Sequence, residues 1–282
     1  MDIIRKLLGD KLIDTHCHIN DTGYDSERST AIADAKQHRV ERIIDIAVDL
    51  PSSARTLALS QEYPELIPAI GIDPECLIVG SALYSQIDDF PAWLAQQRQS
   101  LLEIITKAEV IGECGVDTYW LYRNFRDGKI SKMEMDASIA KQEQLFRMHC
   151  ELAAKFHKPL SVHSRGAEKR CLEIVSDYDV SAIFHSFTGS YKVASQIVQC
   201  GHYLGVNGIV TYDSADDLRN LYKRLMGKLV DPQPADFYDR QIVFETDSPF
   251  LFPFDSRKRN YPSQVSVVYN YLAQIITNYG HQ

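Results

Sequence analysis

The chain has no apolar run approaching the roughly 18–20 residues of a membrane span. Its opening Met1-Asp2-Ile3-Ile4-Arg5-Lys6 is not followed by the apolar core of a signal peptide. A membrane protein and a secreted one are therefore not expected, and a cytoplasmic one is. None of the six cysteines (Cys17, Cys76, Cys114, Cys150, Cys171, Cys200) falls in a C-x-x-C pair, which disfavours a zinc ribbon or disulfide framework and points to reduced thiols. Basic charge is not in excess either: the formal net charge is −8, so no generally basic nucleic-acid surface is expected. A nucleic acid remains open as a substrate, because a cleft that holds divalent cations is locally positive whatever the sum over the surface. Low-complexity segments and charge blocks are also missing. What is present, 45% apolar and 24% charged residues over 282 positions, is the composition of a soluble globular protein with a sizeable core.

Short apolar segments alternate with helix-sized amphipathic ones. Strands are expected at 12–18, 42–48, 66–73, 109–117, 159–163, 181–185, 202–207 and 241–247, and helices at 26–39, 52–63, 89–102, 134–157, 167–178, 191–200, 215–225 and 264–277. The segment from Thr118 to Met133 is aromatic and basic and reads as a long loop after the fourth strand; 226–240, with Pro232 and Pro234, reads as another loop. Eight strands, each followed by a helix or a helix-sized segment, give the count of a (β/α)8 TIM barrel, here a single domain over 1–282. A doubly wound dinucleotide-binding sheet would require a Gly-rich turn after the first strand, and residues 19–24 (INDTGY) do not supply one.

The residues that end these strands are unusual. His16 and His18 end the first, Glu113 the fourth, His163 the fifth, His185 the sixth and Asp247 the eighth. In a barrel the C-terminal strand ends share one mouth. Each residue has an ordinary structural reading when taken singly, Asp247 for instance as a turn residue before Ser248-Pro249. Burying so many imidazoles and carboxylates together is costly unless a shared cation compensates, so a metal site is the simpler explanation. Imidazole and carboxylate donors without thiolate suit Mg, Mn or Zn.

The motifs Asp14-Thr15-His16-Cys17-His18, Ile111-Gly112-Glu113-Cys114-Gly115-Val116-Asp117, Val162-His163-Ser164-Arg165, His185-Ser186-Phe187-Thr188-Gly189, Glu245-Thr246-Asp247-Ser248-Pro249 and Arg259-Asn260-Tyr261-Pro262 follow one another in order. Together they resemble the TatD family of metal-dependent hydrolases, the deoxyribonuclease branch of the amidohydrolase-like barrels. The resemblance implies two divalent ions, one held by His16, His18 and Asp247, the other by His163 and His185, with Glu113 bridging. It also implies that Asp247 orients the attacking water as general base and that the substrate is DNA, a single strand or an end, with no obligate protein partner.

At the third strand the family usually has Gly-x-His-Pro, and this chain has Gly71-Ile72-Asp73-Pro74. Asp73 is thus a substrate-facing candidate, as a protonated acid, a metal ligand or the mark of a changed substrate. Arg165 and Arg259 are candidates for phosphate contacts, with solvated loop residues as the alternative. Tyr119 and Trp120 have two readings, stacking on bases or packing the loop. Glu245 and Asp14, in phase with Asp247 and with His16 respectively, are either partners of the ligands or structural carboxylates. Two rival functions stay in view: a related barrel hydrolase acting on a small amide, lactone or ester, and a barrel that binds a ligand or partner without turnover. Glu113 stands where binuclear amidohydrolases often carry a carboxylated lysine, which favours the nuclease branch.

Overall fold

A computed structural model describes residues 2–255 and 257–279. Eight strands, β1 (Leu12–Cys17), β2 (Val40–Ile46), β3 (Leu66–Ile70), β4 (Val110–Gly115), β5 (Leu160–His163), β6 (Ala182–Phe184), β7 (Tyr203–Val206) and β8 (Ile242–Phe244), follow one another in the sheet in chain order. The pairs β1/β2, β3/β4, β4/β5, β5/β6 and β7/β8 are parallel. With helices between successive strands, this is the (β/α)8 order expected from the sequence. Among the described residues, no helix is long and apolar enough to cross a membrane.

The chain's contacts divide it into two compact units. The first contains Met1–Asp45, Leu59–Ile67 and His185–Gln282. Here the last strand meets the first: Cys17 bridges Ser248, His18 N–H donates to Ser248 O at 2.8 Å, and Asp247 N–H donates to His16 O at 2.8 Å. The helix Val265–Thr277 packs on β1 and β8 and buries Val265, Val268, Leu272 and Ile276, one stripe at helical spacing. A short helix not foreseen from the sequence, Ile3–Leu8, starts on Asp2, whose carboxylate accepts from Ile4 N–H at 2.9 Å.

The second unit contains Ile46–Ala58 and Pro68–Phe184. Its central element is the helix Lys132–Phe156, which starts with a capping box between Ser131 and Glu134 and packs on β4. Two segments read as loops are partly helical. Tyr119–Arg126 is a helix anchored by the buried Leu121; its aromatic and basic composition hides the periodicity, because most of its large side chains face solvent. In the first unit Pro234–Tyr238 is also a helix, with proline at its first position, where no amide hydrogen is needed.

Candidate metal centre

In the first unit β1 brings His16 to a fully buried position and leaves His18 just beyond the strand. β8 is shorter than expected, so Glu245 and Asp247 lie past its end. Asp247 adopts a left-handed backbone, φ 56°, which is sparsely populated by non-glycine residues and persists where neighbouring bonds fix it. The fixing bonds are Asp247 N–H to His16 O and Phe250 N–H to Asp247 O, both 2.8 Å. The result is convergence: Asp247 Oδ1 lies 3.4 Å from His18 Nε2 and 3.7 Å from His16 Nε2, and the two Nε2 atoms are 3.3 Å apart.

His185 stacks on His16 with ring centroids 3.8 Å apart. Glu245, fully buried, approaches His185 Nδ1 to 3.6 Å with Oε1. The same oxygen accepts from Ser186 N–H at 2.5 Å and Asn207 Nδ2 at 3.3 Å. Its other oxygen is buried and has no hydrogen-bond partner among the described residues. Gly205 makes room for this carboxyl: a Cβ there would stand 2.6 Å from the Glu245 carboxyl carbon. Burial raises the Glu245 pKa, with His185 and Ser186 opposing. One donor atom each from His16, His185 and Glu245 fall within 4.8 Å of one another.

Asp14 takes a structural role. It accepts from Thr246 Oγ1 at 2.6 Å, Thr246 N–H at 2.9 Å and His16 N–H at 3.3 Å, clamping β1 to the segment after β8. Burial pushes its pKa well up, against those bonds.

In the second unit Gly115 lets β4 and β5 approach each other, since a Cβ there would fall 2.9 Å from the His163 carbonyl carbon. Glu113 and Asp117 flank His163: Nδ1 lies 2.9 Å from Glu113 Oε1 and Nε2 lies 3.0 Å from Asp117 Oδ2. Asp117 is fully buried, and its own N–H donates to Gln142 Oε1 at 2.8 Å. Burial opposes charge on His163, but the two carboxylates prevail and raise its pKa well above the usual imidazole value. Asp73 caps the turn Pro74–Leu77, accepting from Glu75 N–H at 2.8 Å. Burial, then the charge of Glu113, pushes its pKa up to about 7. Donor atoms of Glu75, Asp117 and His163 lie within 4.8 Å of one another.

Of the residues singled out in the sequence, His16, His18, His185 and Asp247 gather in the first unit, and Glu113, His163 and Asp73 in the second. Arg165 stands in the second unit with its guanidinium 4.1 Å from the Tyr119 ring centroid. Arg259, in the first, pairs with Glu27 at 3.2 Å and covers the Tyr24 ring at 4.2 Å. Asp117 closes the Ile111–Asp117 motif and is a site residue that strand-end reasoning does not single out. The available signal was its even spacing from Glu113, which keeps both in phase along an extended segment.

The donor set fits a divalent cation. Imidazole nitrogens and carboxylate oxygens converge in buried positions, and among the described residues one Glu245 oxygen is orphaned and no cysteine enters either cluster.

Comparison with known proteins agrees. Residues 13–279 match the family model described as TatD related DNase. The chain is 30% identical over 268 residues to the uncharacterized metal-dependent hydrolase YabD of Bacillus subtilis (94% of this chain, 91% of that one). It is 27% identical over 273 residues to the 3'-5' ssDNA/RNA exonuclease TatD of Cronobacter turicensis (93% and 89%). The crystal structure of YjjV, a TatD homologue from Escherichia coli K12, superposes with a TM-score of 0.72 at 26% identity, covering 94% of this chain and 90% of that one.

Proposed function

The chain belongs to the TatD related DNase family, a family of metal-dependent hydrolases, and on that premise we propose that it is a deoxyribonuclease cleaving phosphodiester bonds of single-stranded DNA or DNA ends. In this reading His16, His18 and Asp247 hold one divalent ion, His163 and His185 hold the other, and Glu113 is shared. The observation that carries it is the approach of His16 and His18 to one oxygen of Asp247 at 3.7 and 3.4 Å. The exonuclease name of the Cronobacter relative supports the substrate class.

When bound by these residues, two divalent ions would supply the positive charge that acidifies a water and stabilises the attacking and leaving oxygens of a phosphodiester. The protein's own groups do the rest. Asp247, fixed by its strained backbone, orients the water and receives its proton on the carboxylate. Glu245 and Asp117 orient the rings of His185 and His163, as carboxylates behind metal-binding histidines commonly do. Asp73 and Arg165 face the substrate in this reading. Arg259, occupied by Glu27 and Tyr24, contributes to phosphate binding only if it exchanges partners. The cytoplasmic location belongs to the same reading, supported by six free cysteines.

The test is divalent-dependent cleavage of single-stranded DNA by the purified protein. His163→Ala and Asp247→Ala are each expected to abolish it while the proteins remain folded. Persistence of cleavage in both would overturn the assignment.

A further inference from the structure

The second unit contains a cavity of about 520 Å³ lined by Glu75, Ile78, Val79, Trp120, Asn124 and Lys129, among others. Its size is within the range of about 300–1,000 Å³ over which small-molecule sites fall. We infer that this cavity is a subsite for one base of the polynucleotide, stacked on Trp120 and contacted at its edge by Asn124, with the flanking phosphates held by Arg165 and Arg123. The inference rests on the nuclease reading above and adds where the strand is gripped.

Three observations converge. First, Glu75 lines the cavity and also lies within 4.8 Å, donor atom to donor atom, of Asp117 and His163. A single side chain therefore separates the cavity from a proposed metal ligand. Second, the cavity has an aromatic wall and an apolar floor. Trp120, Val79 and Ile130 pack on the buried cluster of Ile78, Leu121, Met135 and Ile139, while the Asn124 amide offers both a donor and an acceptor. Third, the charges are sorted by place. Inside are Glu75, Glu134 and Lys129, a net negative lining that rejects phosphate but admits a neutral base. The arginines are at the ring itself: the guanidinium groups of Arg165 and Arg123 lie over Trp120, 5.4 and 5.2 Å from its centroid, so a base that takes the ring face displaces them onto its flanking phosphates. The helix carrying Trp120 continues the same surface with Tyr119 and Tyr122, 42% and 53% exposed and one turn apart. Aromatic faces beside a cationic backbone track are the general means of holding single-stranded nucleic acid.

The test compares binding of a hydrolysis-resistant phosphorothioate ten-nucleotide single strand with binding of its abasic counterpart, by fluorescence anisotropy on the metal-loaded protein. The wild type is expected to prefer the base-bearing strand by about ten-fold, the scale of one base–aromatic stack. Trp120→Ala is expected to lose that preference, and Trp120→Phe, which keeps a stacking face and the apolar contact, to retain most of it. Equal binding of both strands by the wild type, or an undiminished preference in Trp120→Ala, overturns the subsite. Cleavage assays on the same preparations separate the two claims: cleavage without base preference removes the subsite and keeps the nuclease, and base preference without cleavage does the reverse.

Discussion

At the end of β1, two imidazoles converge on one carboxylate oxygen at 3.4 and 3.7 Å, whereas at the end of β5 one imidazole lies between two carboxylates at 2.9 and 3.0 Å. The first cluster is rich in imidazole, and its donor atoms face one another at 3.3 to 3.7 Å. The second is rich in carboxylate, which raises the His163 pKa well above the usual imidazole value against the effect of burial. The contrast is one of donor chemistry, imidazole-rich against carboxylate-rich, so the two clusters should respond differently to perturbation.

The largest expected effect comes from the first cluster. His16→Ala or Asp247→Ala should remove one bound ion per chain by elemental analysis and take nuclease activity below detection. Full metal content in either variant would break the contrast.

Next comes pH, through a buried histidine of the second unit. His149, fully buried in the helix Lys132–Phe156, accepts from Ile72 N–H on Nε2 at 3.2 Å and donates from Nδ1 to Leu145 O at 2.9 Å, so its neutral form is built into the fold. Burial lowers its pKa to about 4, from 6.5. The unfolded chain therefore takes up this proton first as pH falls. Stability from His149 is complete above about 6.5 and is lost progressively down to about 4, a change of ~3 kcal/mol at 1.36 kcal/mol per unit. Denaturant midpoints across that interval should fall in the wild type and fall less in His149→Gln.

The carboxylates behind the histidines should give a smaller effect. Asp117→Asn and Glu245→Gln are each expected to weaken binding of the ion proposed above for His163 and His185 by about 10- to 100-fold, leaving the ion proposed for His16, His18 and Asp247 in place. Calorimetric titration of the metal-free protein reads the two affinities separately, and equal weakening of both would merge the clusters into one undifferentiated site. Smaller still, Gly205→Ala should lower stability by about 1–3 kcal/mol, because the added methyl displaces the Glu245 carboxyl. A thermal melt unchanged from wild type would show that Glu245 has room to move.

Much of this was legible in the residues. The eight strands are legible because buried parallel strands are short apolar runs, and His16, His18, Glu113, His163, His185 and Asp247 stand out as ligand-type residues at or just past strand ends. What could not be read followed from tertiary context. The phase argument placed Glu245 and Asp247 on one face of a longer β8, but the strand stops at Phe244 and Asp247 turns left-handed, so Glu245 faces His185 while Asp247 faces His16 and His18. The helix Tyr119–Arg126 has no legible apolar stripe, because a single buried leucine anchors it. Arg259 had the composition of a phosphate contact, yet Glu27 and Tyr24 occupy it.

The most direct test of the central claim is metal stoichiometry and cleavage of single-stranded DNA measured on one preparation, before and after chelation. The account predicts two divalent ions per chain, cleavage that chelation abolishes, and recovery on adding Mg, Mn or Zn. A protein that binds its ions and leaves DNA intact, or one that cleaves equally well without them, would contradict it.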